Sequence, residues 1–180
     1  MLTPRSIKHC RACGGGIQYQ TPADDNRDRA TCLVCSTIHY ENPLNVVGTL
    51  PVWDDKVLLC LRNIEPRRGL WTLPAGFMEL GETTAEGALR ETVEEAGARV
   101  ELQGLFSLIN VVRVGQVHLF YRARLLDDKL APGPETIEAR LFAEDEVPWG
   151  ELAFRTTRRT LELFFADRRA GAFAFHAEDI

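Results

Sequence analysis

Arg90-Glu91-Thr92-Val93-Glu94-Glu95-Ala96-Gly97 brings three carboxylates together ahead of a glycine stop. At 100° per residue, Glu91, Glu94 and Glu95 share a helical arc of roughly 100°. Like charges at these spacings repel by about 0.2–0.5 kcal/mol per pair. They also crowd the negative end of the helix dipole, which favours cations by roughly 0.3–1 kcal/mol per charge. A bound divalent cation reverses both penalties, and an all-oxygen donor set selects Mg2+ or Mn2+. A solvated acidic face is the alternative reading of E-x-x-E-E taken alone. A second set of chemical residues lies upstream. Cys10-x-x-Cys13 and Cys32-x-x-Cys35 are two knuckles separated by 18 residues, the pattern of a tetrahedral four-thiolate zinc site. Two disulfides are the alternative, but nothing in the chain suggests secretion. His9 and His39 are read as flanking residues and not ligands. Cys60, inside Lys56-Val57-Leu58-Leu59-Cys60-Leu61-Arg62, is expected to be a buried core thiol.

The elements around the glutamates are readable. Thr83-x-x-Glu86 is a capping box, so a helix should begin near residue 83 or 84. Ala85, Ala88, Leu89, Thr92, Val93 and Ala96 form the stripe expected to pack on a sheet, which leaves the glutamates facing a cleft or solvent. Gly97 suits a left-handed stop. Arg90 is expected to orient Glu91 and the preceding loop, with Glu82 and Glu86 as its partners. Strands are expected at 45–53 and 56–62, joined by a hairpin turn at Asp54-Asp55, and near 99–110, 116–126 and 138–143. Trp71–Gly76 reads as a short strand running into a loop, and an amphipathic helix should cover roughly 150–169, ending before Gly171. Few helices and a mixed sheet give an α+β class. The domains expected are residues 1–43, the cysteine segment, and 44–180, the catalytic part.

Composition excludes several partners. The 180 residues carry a formal charge of −5, with 45% hydrophobic and 26% charged residues, ordinary values for a globular protein. The acidic balance argues against broad nucleic-acid or anionic-membrane binding. Arg5, Lys8, Arg11, Arg27 and Arg29 are nearly balanced by Asp24, Asp25, Asp28 and Glu41, so the cysteine segment has no basic stripe. No apolar run approaches the ~18 residues of a membrane span, and no leader-like run precedes Cys10. A cytoplasmic protein is expected.

Gly76, Glu82 and Arg90-Glu91-x-x-Glu94-Glu95-x-Gly97 together resemble the signature of the Nudix hydrolases, over residues 76–98. Thr92 stands where that family usually has an aliphatic residue, a departure that should cost packing and not chemistry. The resemblance implies an α/β/α sandwich with a mixed sheet, preceded by a small zinc ribbon. It also implies Mg2+ or Mn2+ held by Glu91, Glu94 and Glu95, with the Ala75 carbonyl as a further ligand aimed by a turn at Gly76. Glu91, or a glutamate outside the signature, would be the base. Related enzymes often place an extra metal-binding or base glutamate before the last strand, which points to Glu138 ahead of Glu135. Arg62, Arg67 and Arg68 could clamp a diphosphate. Phe106, Phe120 and Tyr121 could stack a nucleobase or flavin ring. A homodimer is a family analogy only.

The signature specifies a diphosphate and not which one. The Ser-Gln-Pro-Trp array that follows the signature in NADH pyrophosphatases is absent from Leu105–Gln116. Cys-x-x-Cys-Gly-Gly, Tyr40-x-Asn42-Pro43, Arg62-Asn63-Ile64, Gly69–Gly76, Ala131-Pro132-Gly133-Pro134-Glu135 and Leu152-Ala153-Phe154 look like the plant plastid FAD pyrophosphatase and its bacterial zinc-ribbon relatives. That similarity implies hydrolysis of FAD or ADP-ribose with release of AMP. An NADH pyrophosphatase, a house-cleaning nucleoside triphosphate diphosphatase and a non-catalytic ligand sensor are the alternatives.

Overall fold

The computed structural model describes residues 7–180. Arg5, counted in the charge balance above, and the rest of residues 1–6 lie outside it. The chain divides into two compact units, Met1–Pro43 and Leu44–Ile180.

The first unit is a three-stranded antiparallel sheet of β1 (Ile17–Gln20), β2 (Arg29–Cys32) and β3 (Ile38–His39), in the order β1-β2-β3. Its core is small, with Ala30, Cys10 and Cys32 buried.

The second unit is built on β4 (Leu44–Trp53), β5 (Lys56–Arg62), β6 (Trp71–Thr72), β7 (Ala75–Phe77), β8 (Val100–Val111), β9 (Gln116–Leu125), β10 (Thr136–Phe142) and β11 (His176–Asp179), with helices α1 (Thr84–Ala96) and α2 (Arg155–Ala170). The sheet order is β10-β5-β4-β9-β8-β11, with β6 on β5 and β7 on β4. β4 pairs parallel with β9 and β11 parallel with β8, while the other pairings are antiparallel. The sheet is mixed, as expected.

Strand parity makes two faces. Val57 and Leu59 join Leu50, Trp71, Phe106, Phe120 and Phe142 against Leu161, Phe164 and Phe165 of α2. Leu58 and Cys60 point the other way, to Ala96, Ala98 and Leu125 beside α1. A strand buried on both faces reads as an unbroken apolar run, which β5 does. The result is an α/β/α sandwich, with Cys60 buried as anticipated.

Three expectations need correction. The last helix starts at Arg155 and not near 150, because Trp149–Glu151 is a separate short 3-10 turn. The Ala153 amide is also tied to the Trp71 carbonyl at 2.8 Å, which holds the approach to α2 extended. Val93 is not on the packed stripe; it is 56% exposed, and the buried face of α1 is Gly87, Ala88, Glu91, Thr92, Glu95 and Ala96. Phe106 cannot stack a ligand ring. It is 3% exposed in the α2-side core, edge-on to Phe164. The register of β8 against β9 slips between Leu105 and Ser107, so Phe106 and Ser107 both face inward where simple alternation would expose one.

Candidate active site

Helix α1 begins and ends as its sequence dictates. The Thr83 hydroxyl accepts from the Glu86 amide at 3.2 Å and the Glu86 carboxylate accepts from the Thr83 amide at 2.8 Å, closing the capping box. Glu86 is therefore spent on the cap and does not partner Arg90. At the other end Gly97 adopts φ 60°, and its amide donates to the Val93 carbonyl at 2.8 Å.

Between these caps the helix carries two glutamates inward. Glu95, 6% exposed, accepts a hydrogen bond from the Ala75 amide at 3.0 Å. Burial pushes its carboxyl up to about 7, opposed by that amide and by the Arg62 charge. Glu91, 9% exposed, rests on Gly76 so tightly that a β-carbon there would lie 2.4 Å from the carboxylate. Burial raises its pKa as well, opposed first by Arg90. Gly76 thus has a different job from the turn implied by the resemblance. It lies within β7, paired with Val47, and its missing side chain makes room for Glu91.

Arg90 organises the outer side. One guanidinium nitrogen donates to Glu91 at 2.7 Å and Glu94 at 3.1 Å; the others reach Glu82 at 2.8 and 3.0 Å and the Phe77 carbonyl at 3.2 Å. The Arg90 bond holds the Glu82 carboxyl down at about 2. Glu94 is exposed. Three carboxylates, Glu82, Glu91 and Glu94, share this one guanidinium, so negative charge is left over. Hard oxygens, a buried carboxylate pair and the surplus negative charge fit a hard divalent cation. Among the described residues, however, only the four cysteines already converge within 4.8 Å as a ligand set.

The remaining candidates spread around this cluster. Arg62 is 8% exposed, donates to the Pro66 carbonyl at 3.0 Å and lies 5.1 Å from the Phe154 ring centre. It is a fixed charge and not a free clamp. Arg67 and Arg68 are exposed on the loop that follows. Glu138 is exposed on β10, 3.6 Å from Arg140. Glu135, ranked behind it on sequence grounds, is the carboxylate whose charge opposes ionisation of Glu91 and Glu95. Tyr121 hydrogen-bonds Thr84 at 2.7 Å, and Phe120 is core.

In the first unit the two knuckles repeat one geometry. Cys10 N–H donates to the Gly15 carbonyl and Cys32 N–H to the Thr37 carbonyl, at 2.8 and 2.9 Å. Gly14 and Ser36, each one residue past a knuckle, both have left-handed backbones, φ 74° and 59°. Sulfur pairs from opposite knuckles approach to 3.6 Å (Cys10–Cys35) and 3.5 Å (Cys13–Cys32) with all five cysteines of the chain free. A tetrahedral ion with bonds of about 2.3 Å needs sulfurs about 3.8 Å apart, so the cage fits. His39 Nε2 lies 3.3 Å from Cys10 Sγ, outside the four-sulfur set.

Comparison with known proteins agrees with this arrangement. The NUDIX domain family matches residues 43–164, and the zinc-ribbon family described as Nudix N-terminal matches residues 8–41. An ADP-ribose pyrophosphatase of Methanocaldococcus jannaschii is 32% identical over 119 residues, covering 64% of this chain and 69% of that protein. The NAD-capped RNA hydrolase NudC of Vibrio atlanticus is 31% identical over 96 residues, 53% of this chain and 34% of NudC. The matched segment thus spans about a third of that relative. The crystal structure of a NUDIX hydrolase from Nitrosomonas europaea superposes with a TM-score of 0.93 at 47% identity, covering 97% of this chain and 99% of that one. With glutamate helix and cysteine ribbon both accounted for, the chain belongs to the Nudix family and is a Nudix pyrophosphatase with an N-terminal zinc-ribbon segment.

Proposed function

We propose that this enzyme hydrolyses the diphosphate bridge of a dinucleotide-type substrate, FAD or ADP-ribose, and releases AMP. The observation that carries the reading is the buried pair Glu91 and Glu95, held on Gly76 and the Ala75 amide. Two desolvated carboxylates on one helix face cost free energy unless a cation joins them. Glu91, Glu94 and Glu95, with the Ala75 carbonyl, would hold Mg2+ or Mn2+; Glu138 stands further out as a candidate for the same role. Such an ion, when bound, neutralises charge on the phosphoryl oxygens and orients the attacking water.

The protein's own groups do the rest. Arg90 fixes the rotamers of Glu91 and Glu94 and ties them to Glu82 and the Phe77 carbonyl. Arg62 supplies a fixed positive charge beside Glu95, and the exposed Arg67 and Arg68 are free to meet a phosphate. Water adds to one phosphorus, the bridging P–O bond breaks, and AMP leaves with FMN or ribose 5-phosphate as the other product. In the first unit, Cys10, Cys13, Cys32 and Cys35 would hold Zn2+ as a closed structural site.

The ADP-ribose reading draws support from the name of the archaeal relative. The FAD reading rests on the motif similarity along most of the chain. The NudC relative favours a second reading, an NADH-type dinucleotide. A product assay with FAD, ADP-ribose, NADH and dGTP in parallel, at saturating Mg2+, separates them. AMP together with FMN or ribose 5-phosphate supports the proposal, and AMP with nicotinamide mononucleotide moves the enzyme to the second reading. Pyrophosphate from dGTP alone overturns both.

A further inference from the structure

Apart from the Glu135 charge, Ala131-Pro132-Gly133-Pro134-Glu135 carries none of the chemistry assigned above, yet it is folded around the carboxyl end of α1. A helix end leaves its last carbonyls without intrahelical partners, and α1 has no basic residue in its last turn to meet them. The segment supplies the missing donors. Ala131 N–H reaches the Ala96 carbonyl at 2.8 Å, and Gly133 N–H reaches the Glu95 carbonyl at 3.4 Å. Contact is so close that a β-carbon on Gly133 would lie 2.0 Å from the Glu94 carbonyl oxygen. From the helix side, one on Gly97 would lie 2.4 Å from the Ala131 carbonyl. Prolines on both sides of Gly133 fix the local backbone, and the Thr136 amide closes a turn onto the Gly133 carbonyl at 3.1 Å.

A second tie runs from the far side of the segment. Asn63 donates its side-chain amide to the Pro134 carbonyl at 3.0 Å and its backbone amide to the Glu135 carbonyl at 2.8 Å. Asn63 directly follows Arg62 and opens the loop that carries Arg67 and Arg68.

We propose that Ala131–Glu135 is a collar that positions the ligand end of α1, with Gly133 and Asn63 as its positioning residues. The inference rests on Glu94 and Glu95 being cation ligands. Contacts to the backbone of residues 94–96 set the height and rotation of the last helical turn. They therefore set where the two carboxylates stand relative to Ala75 and Gly76. Through Asn63 the same collar links that turn to the arginine loop, so the ligand side and the phosphate side of the site are held as one piece. Gly133 is the position where any side chain must displace either collar or helix.

The test uses Gly133→Ala and Asn63→Ala in the full chain, with three readouts. These are amide hydrogen exchange across residues 94–98 without added metal, Mn2+ affinity by calorimetry, and kcat against KM for the preferred substrate. Asn63 is a surface tie, so Asn63→Ala should melt close to the parent while exchange at 94–98 quickens. Its Mn2+ affinity should fall about ten-fold, as for loss of a group that orients ligands. kcat should drop while KM holds, and Gly133→Ala should move every readout further in the same direction. Parent-like exchange and Mn2+ affinity in Asn63→Ala overturn the collar, and this variant decides alone if Gly133→Ala does not fold. Glu94→Gln, run in parallel, separates the two readings. If it keeps parent Mn2+ affinity, the ligand assignment falls and the collar's role falls with it. If it loses affinity while both collar variants keep theirs, only the collar is overturned.

Discussion

Thr49 and Thr92 meet across the boundary between β4 and α1 with their hydroxyl oxygens 2.6 Å apart, and Thr92 gives its own proton to the Ala88 carbonyl at 2.7 Å. Thr49 is therefore the donor of the pair, and both side chains are fully buried. The residue that departs from the family's aliphatic habit is answered by a partner on the sheet. Two further buried pairs, Thr72 with Thr157 and Ser107 with Thr160, do the same on the α2 face. Thr92→Val should strand the Thr49 hydroxyl and cost about 1–3 kcal/mol, whereas Thr49→Val/Thr92→Val should recover most of that loss. Urea unfolding of the two single variants and the double variant measures the coupling.

Glu94→Gln and Glu95→Gln should each lower kcat on the order of a hundred-fold or more at saturating substrate, while circular dichroism stays that of the parent. Removing a buried carboxylate should also raise the melting temperature of metal-free Glu95→Gln. Full turnover in either variant would remove that glutamate from the ligand set.

Phe106→Ala tests the correction made to the ring-stacking expectation. A core phenylalanine truncated to alanine costs about 3–5 kcal/mol. The loss should appear in denaturant unfolding, with KM for the preferred substrate little changed. A large rise in KM at parent stability would restore Phe106 to the substrate site.

His118 gives the pH dependence a definite sign. It is buried on β9, and desolvation holds its ring down at about 4, below the ordinary 6.5. The folded state keeps it neutral while the unfolded chain takes up a proton, so its contribution is whole above about pH 6.5 and drains away as pH falls towards 4. The loss is on the order of 2–3 kcal/mol. Unfolding of parent and His118→Phe at pH 7 and 4.5 should show the parent losing more; equal losses would refute the assignment.

Metal analysis of the purified chain should find zinc that Cys10→Ser or Cys32→Ser removes and Cys60→Ala retains. Cys60 belongs to the α1-side core, and burial pushes its thiol well above the usual range. Zinc content unaffected by the knuckle variants would return the four cysteines to the disulfide reading.

The ends of α1, the two knuckles and the β4–β5 hairpin were legible because local rules decide them: a capping box, a left-handed glycine, paired cysteines, and an Asp-Asp turn in which Asp54 takes φ 52°. Glu91 and Glu95 were left off the packed face because a stripe drawn from hydrophobicity excludes carboxylates. A better signal was Gly76, whose missing side chain makes room for one of them. The short strand read from Trp71 onward is β6, but the loop expected to follow it contains β7, whose three residues are too few for any period to show. β11 is the polar stretch His-Ala-Glu-Asp, whose pairing with β8 is fixed by tertiary context. The depth of Arg62, by contrast, was available from parity, since it follows Leu58 and Cys60 along β5.

The parallel pairing of β4 with β9 joins Leu44 to Gln116 and Val52 to Arg124, and β7, α1 and the three glutamates of α1 lie in the loop between them. Within it β7 leans on β4, and Thr92 meets Thr49 of β4 from 43 residues further along the chain. Contacts this distant in sequence form late and slowly. The acidic segment, though contiguous on paper, should therefore bind no cation tightly as an isolated peptide. If the glutamates hold the proposed cation, its affinity should report completed folding, returning in a refolding experiment with the native signal and not before it.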